Sequence, residues 1–159
     1  MILIALGSNM PGPWGSPRAT VERALFELNR FPMRLITSSN SLITKPFGVT
    51  NQPDFVNAVA QIETALSPES LMRKLHEIER AADRKRGRRW GPRTLDLDLL
   101  AYHDLEREQR GIVQKHLVLP HPGMADRAFV LLPISEIAER WKHPQLHKSA
   151  RQMLGSLKH

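Results

Sequence analysis

The sequence predicts an α+β fold, and three observations predict it. Short apolar stretches with strand-like character recur at residues 1–6, 35–43, 55–62 and 95–102. Two longer stretches carry apolar residues at helical spacing, and each opens on a Ser-Pro pair. The resulting order, β-α-β-β-α-β with further helix at the C-terminal end, is that of the ferredoxin-like split βαβ arrangement, an antiparallel-containing sheet with helices on its faces. A chain of 159 residues suits one domain, residues 1–159, and can bury about two-thirds of the surface that its unfolded form exposes. No internal repeat or linker interrupts it.

Met1 to Leu6 reads as a buried first strand: it is six residues long, has no basic leader and ends at Gly7, so it is not a signal peptide. Gly7 to Gly15 is a loop dense in glycine and proline. Within it Gly7-Ser8-Asn9 can offer backbone amides to a ligand, but it lacks the lysine and spacing of a P-loop, and such a triplet is more often an ordinary turn. Ser16 and Pro17 cap the first helix, which Val21, Leu25 and Leu28 continue to about Arg30. Leu35 to Ile43, rich in β-branched and small polar residues, reads as the second strand, and Thr44 to Pro53 as a proline-rich loop. From Phe55 onward Val56, Ala58, Ala60 and Ile62 share one strand face, with Phe55, Asn57 and Val59 on the other. Asn57 therefore falls among apolar neighbours. A buried amide needs partners, so it either satisfies nearby backbone or reads a planar heterocycle.

Ser67-Pro68-Glu69 opens the second helix, whose face is marked by Leu71, Leu75, Ile78 and Ala82 and which ends near Asp83. Leu95 to Tyr102 is the next strand. His103-Asp104 and the polar run to Gly111 read as a turn, followed by Ile112 and Val113, by Leu117-Val118-Leu119 and by Pro120-His121-Pro122. Asp126 is placed to cap a short helix carrying Arg127, Phe129, Val130 and Leu132, interrupted or bent near Pro133. Gln145 to Leu154 reads as a last, amphipathic helix.

The absence of cysteine fits a reducing, cytoplasmic setting, and no segment approaches membrane-spanning length. The net charge of +7 is uneven: Arg84, Lys85, Arg86, Arg88, Arg89 and Arg93 place six positive charges within ten residues, so an anionic partner is expected. Directly after this run, Leu95, Leu97, Leu99 and Ala101 fall on one strand face and Asp96 and Asp98 on the other. Residues two apart in a strand are roughly 6.5 Å apart along it, and two negative charges at that distance repel by roughly 2–3 kcal/mol at an effective dielectric near 20. The neighbouring arginines can compensate, as can a hard cation such as Mg²⁺, which takes oxygen ligands and shares them with substrate phosphates. An isolated D-x-D is more often a solvated strand face, and a basic run is often a solvated loop or a nucleic-acid patch. Side by side they favour a metal-bound polyphosphate, because a carboxylate pair opposes a nucleic-acid backbone unless metal bridges the two.

Gly7-Ser8-Asn9, Asn51-Gln52-Pro53-Asp54-Phe55-Val56-Asn57, Arg89-Trp90-Gly91-Pro92-Arg93-Thr94-Leu95-Asp96-Leu97-Asp98 and Pro120-His121-Pro122 with Arg127 and Phe129 follow one another along nearly the whole chain. This set resembles the 6-hydroxymethyl-7,8-dihydropterin pyrophosphokinases of the folate pathway; the central motif is highly specific, while the flanking ones are weak alone. The resemblance implies a ferredoxin-like monomer of three α-β-α layers. It also implies transfer of pyrophosphate from ATP to the hydroxymethyl group of the pterin, with release of AMP. By the same resemblance Asp96 and Asp98 hold two Mg²⁺ ions, and Arg84 and Arg93 act at the phosphates. Arg86, Arg89, Trp90, His121 and Arg127 then contact the nucleotide. Gly7, Thr44, Lys45, Phe47, Phe55, Asn57, Trp90 and Phe129 form the pterin site, with Trp90 on a loop that closes over it. The implied partners are ATP and the pterin, with neither nucleic acid nor membrane.

Three positions depart from the family pattern: Asp83 stands where glycine is usual, Lys45 where an apolar residue is common, and Glu139 where proline usually follows the isoleucine-alanine pair. Two other readings of the residues compete with the kinase. A nucleic-acid module on the same element order needs exposed aromatics on its central strands, and aromatics make up only 6% of this chain. A two-metal nuclease needs further carboxylates and a base beside Asp96 and Asp98, and the sequence offers none nearby.

Overall fold

The computed structural model describes residues 1–45, 51–82, 94–103, 105–109 and 117–157. Its strands are β1 (Ile2–Ser8), β2 (Met33–Ser38), β3 (Leu42–Thr44), β4 (Phe55–Thr64), β5 (Asp96–Tyr102), β6 (Arg107–Gln109) and β7 (Leu117–Leu119). Its helices are α1 (Pro17–Glu27), α2 (Pro68–Ala81), α3 (Ala128–Ile137) and α4 (Ala150–Ser156). The main sheet runs β2-β4-β1-β5 with β3 also on β4, and every pairing is antiparallel. This is the strand order of the ferredoxin-like arrangement that the element order predicts.

Both long helices start as the sequence suggests. Ser16 Oγ accepts the N–H of Ala19, and Ser67 Oγ that of Ser70, each with proline at the next position, where no backbone donor is needed. Two cores then form on opposite sides of the sheet. Ile2, Ile4 and Leu6 of β1, the even-numbered residues Val56 to Ile62 of β4, and Leu97 and Leu99 of β5 pack on Val21 and Ala24 of α1 and on Leu71, Leu75 and Ile78 of α2. On the other side Leu3, Val59, Leu100 and Ala101 pack on Val130, Leu131 and Ile134 of α3 and on Ala150 and Met153 of α4. The layers are α-β-α. Each large aliphatic side chain so buried contributes about 1.5–3 kcal/mol relative to leaving it in water.

Several local expectations give way to pairing. The loop predicted from Gly7 begins later, because β4 supplies Asn57 and Val56 to pair with Gly7 and Ser8. The single strand predicted over residues 35–43 is two, β2 and β3. In the gap Ser39 replaces regular pairing, its N–H donating to Val59 O and its Oγ accepting the Val59 N–H, both at 2.9 Å. Ala101 does not share the face of Leu97 and Leu99. Leu3 pairs with Ala101 and Ile4 with Leu99, so Leu100 is an extra residue that turns Ala101 to the α3 side.

Toward the C-terminal end, the polar run after His103 contains a strand, β6, antiparallel to β7; Ile112 and Val113 lie outside the described residues. Asp126 closes a 3-10 turn (Met124–Asp126) and caps nothing; the residue at the start of α3 is Arg127, whose side chain makes no capping bond. α3 continues through buried Pro133, at the loss of one intrahelical bond. The last helix begins at Ala150, not Gln145, because the capping box of Ser149 and Gln152 starts it there. Among the described residues no helix is long and apolar enough to cross a membrane.

Candidate active site

The sheet register builds the site. Gly7 of β1 lies between Asn57 of β4 and Asp96 of β5, and two residues away Ala5 lies between Val59 and Asp98. All of these face the α3 side of the sheet, so one amide and two carboxylates stand in neighbouring rows across three strands. The middle strand contributes almost no side-chain volume there. A cleft of about 1040 Å³, its open mouth included, occupies the space; besides Ala5, Gly7, Asn57, Asp96 and Asp98 its lining includes Thr44, Lys45, Phe55, His121, Arg127 and Phe129.

Glycine at position 7 keeps this row uncrowded. A Cβ there would stand 3.1 Å from Asn57 Oδ1, tighter than ordinary contact. Asn57 is 8% exposed, and its Nδ2 donates to Thr44 Oγ1 at 2.5 Å, which fixes the amide beside Gly7. The open choice between backbone partner and heterocycle thus takes a third form at one end of the amide: a side-chain hydroxyl. Asn9, at the end of β1, is buried and ties this corner to the segment entering β4, its Nδ2 donating to Gln52 Oε1 at 2.8 Å and to Pro53 O at 2.9 Å.

His121 stands between two clefts. Its backbone N–H donates to Leu100 O at 2.8 Å, and its ring Nδ1 accepts the Gly123 N–H at 3.1 Å. With Nδ1 an acceptor, the neutral ring carries its proton on Nε2. Burial holds the imidazole below its ordinary 6.5; the Arg127 guanidinium pushes it the same way and Asp96 opposes. The ring is therefore a neutral N–H donor near pH 7.

The second cleft, about 770 Å³, opens between α2 and β5 and is lined by Met72, His76, Glu79, Leu117 and Val118, among others. It shares Asp96, Asp98 and His121 with the first, so the carboxylate pair sits where the two meet. Among the described residues no group of three or more His, Asp or Glu is arranged to hold a metal. Two carboxylates suit a cation that takes its remaining ligands from water and phosphate, which is the habit of Mg²⁺.

The cleft brings together Gly7, Thr44, Lys45, Phe55, Asn57, Asp96, Asp98, His121, Arg127 and Phe129, every predicted site residue that the structure describes. Phe47, Arg84, Arg86, Arg89, Trp90 and Arg93 lie outside the described residues. Sequence reasoning passed over Met124, buried in the wall of the first cleft, and His76 and Glu79 of the second. Glu79 had a readable signal, since it falls four residues after Leu75, on the apolar side of α2.

A family model described as 7,8-dihydro-6-hydroxymethylpterin-pyrophosphokinase (HPPK) matches residues 3–139. The chain belongs to the HPPK family. Among HPPK relatives it is 44% identical over 135 residues to the 2-amino-4-hydroxy-6-hydroxymethyldihydropteridine pyrophosphokinase of Haemophilus influenzae, covering 85% of this chain and 79% of that one. It is 40% identical over 148 residues to the Pseudomonas aeruginosa protein of the same name, covering 90% and 83%. The fold is shared with the HPPK-DHPS of Plasmodium falciparum, solved with SDX-DHP, at a TM-score of 0.77 and 14% identity; the match covers 97% of this chain and 43% of that longer one.

Proposed function

We propose that this HPPK-family enzyme transfers a pyrophosphoryl group from ATP to the hydroxymethyl oxygen of 6-hydroxymethyl-7,8-dihydropterin, a step of folate biosynthesis. The observation that carries this reading is the position of Asp96 and Asp98 at the junction of two clefts, one floored by Gly7 and Asn57 and the other walled by α2. The pterin takes the first cleft, its ring edge read by Asn57 and its faces met by Phe55 and Phe129. Thr44 holds the Asn57 amide in place, and Lys45 and Phe47 border the ring. ATP takes the second cleft, its phosphates reaching the junction.

There the pterin oxygen attacks the β-phosphorus. The bond from that phosphorus to the oxygen bridging the α-phosphate breaks, AMP leaves with that oxygen, and the hydroxyl proton is released. The protein's share in such a displacement is positioning and charge stabilisation. Asp96 and Asp98 would hold Mg²⁺, two ions in this reading, and the bound metal neutralises phosphate charge and orients both reactants. His121 donates its Nε2–H toward phosphate oxygen, and Arg127 adds positive charge beside it. Arg84 and Arg93 serve the transferred phosphates, Arg86 and Arg89 the nucleotide, and Trp90 closes over both substrates, excluding water. Residues 1–159 act as one pyrophosphokinase domain, a cytoplasmic monomer that engages neither nucleic acid nor membrane.

Incubation with Mg²⁺-ATP and the hydroxymethyl dihydropterin tests this directly. AMP and the pterin diphosphate are expected in equal amounts. ADP in place of AMP would mean simple phosphoryl transfer, and tight binding of oligonucleotides without binding of pterin would overturn the reading altogether.

A further inference from the structure

Among the described residues β5, which carries both aspartates, is an edge strand of the main sheet and pairs with β1 alone. Such an edge leaves backbone groups without a ladder partner, and any drift of the strand moves the side chains it carries. Here the outer edge is taken up locally. The Leu97 N–H donates to Glu79 Oε2 at 2.9 Å, and the Leu100 carbonyl accepts the His121 N–H at 2.8 Å. Leu97 is the residue between the two aspartates, so the first of these bonds fixes the peptide plane that joins Asp96 to it.

Glu79 is 3% exposed, and it projects from a helix whose Leu71, Leu75 and Ile78 are anchored in the core beneath the sheet. Carboxylates are seldom buried unless their oxygens are bonded. An aliphatic residue at this position of α2 would pack on the sheet without that cost but could not accept the Leu97 N–H, so the bond to β5 is one contribution that needs the carboxylate. Glu79 also lines the second cleft together with Asp96 and Asp98.

We infer that Glu79 is a positioning residue: its carboxylate takes the place of a neighbouring strand at the backbone N–H between Asp96 and Asp98, and so sets how the pair presents itself to Mg²⁺. This rests on the reading that the two aspartates hold the metal. Partners that orient metal ligands from behind typically change metal affinity by about 10–100-fold.

The informative variants are Glu79→Asp, which keeps the charge but withdraws the oxygen by one methylene, and Glu79→Gln, which keeps the reach and an acceptor oxygen but loses the charge. Mn²⁺ affinity is measured by calorimetry with a non-hydrolysable ATP analogue, and Leu97 amide exchange by NMR on the metal-free protein. Glu79→Asp is expected to lose about 10–100-fold in metal affinity and to exchange the Leu97 amide faster, with the KM for pterin unchanged. Glu79→Gln is expected to stay near the parent in both measurements. Parental metal affinity in Glu79→Asp, or equal loss in both variants, would overturn the inference. Thermal melts identify any variant that fails to fold, and the exchange measurement on Glu79→Gln then still decides whether the bond persists without the charge. Undiminished Mn²⁺ binding in Asp96→Ala would instead sink the metal reading, while Leu97 exchange continues to report on Glu79.

Discussion

Along β1, Ile2, Ile4 and Leu6 face the helices α1 and α2, while Leu3, Ala5 and Gly7 face the other side. The first series stays large to the end of the strand; the second shrinks step by step into the cleft. β5 repeats the contrast, with Leu97 and Leu99 on one face and Asp96 and Asp98 on the other, and β4 repeats it with Val56 and Ala58 against Asn57. The same three strands thus carry most of the apolar burial on one face and the polar row on the other. A row of like charges and an amide lowers stability by itself, through repulsion and desolvation. A filled core directly behind it lets the strands hold such a row without unfolding, so the core face and the cleft face are separated by a single residue's step along the chain.

The largest expected effect comes from removing either carboxylate of the proposed metal pair. Asp96→Ala or Asp98→Ala should lower kcat by on the order of 10³-fold, the loss of several kcal/mol of charge stabilisation. The melting temperature should hold or rise, because one of two repelling carboxylates is gone. Steady-state kinetics with calorimetric melts check both halves, and a parental rate in either variant would break the division between faces. Leu6→Ala is the complementary change. Leu6 is 1% exposed in the core, and its truncation should cost about 2–5 kcal/mol in denaturant unfolding, with the KM values of the folded fraction unaltered. Gly7→Ala, the very next residue, should do the reverse. Its new Cβ stands 3.1 Å from Asn57 Oδ1 and must displace that amide, which should raise the KM for pterin about tenfold, equivalent to roughly 1.4 kcal/mol of lost amide recognition, with stability little changed. If Leu6→Ala raised the pterin KM as much as Gly7→Ala, the faces would not be independent.

Period-two alternation is local, and the residues that obey it were legible. Val56, Ala58, Ala60 and Ile62 were separable from Asn57, and Asp96 from Leu97, before any pairing was known. The Ser16-Pro17 and Ser67-Pro68 starts were legible for the same reason, since a cap needs only its own next turn. What pairing decides was not legible. That Gly7 lies between Asn57 and Asp96 depends on register between segments some 40 to 90 residues apart. The extra residue Leu100 that turns Ala101 over, and the Ser39 oxygen that divides β2 from β3, are likewise set by the partner strand. The order and sign of charges announced an anionic ligand, but the cleft itself exists only once β1 has brought its smallest residues between the two outer strands.

The smallest predicted effect tests whether the far end of the α3 side is coupled to the cleft. His143 is buried, with Nδ1 accepting the N–H groups of Gln145 and Leu146 at 3.2 Å each and its backbone N–H donating to Lys148 O at 2.9 Å. Its ring lies edge to face with Trp141, which packs in the core of α3 and α4. Burial lowers its pKa from the ordinary 6.5; Glu106 opposes the shift and His147 adds to it. The sign follows from proton counting: on acidification the unfolded chain takes up this proton first, so His143 stabilises the fold fully above about pH 6.5 and loses that contribution as pH falls through its lowered value. Denaturant unfolding at pH 7.5 and 5.5 should therefore show a loss of stability on acidification that is smaller in His143→Gln than in the parent. His121 also titrates low, but it is present in both proteins and cancels from the comparison. The pterin KM should change with pH equally in the two. A KM that follows pH in the parent and not in His143→Gln would mean that the layer of α3 and α4 transmits protonation at His143 to Phe129 and the cleft, and that this face works as one unit.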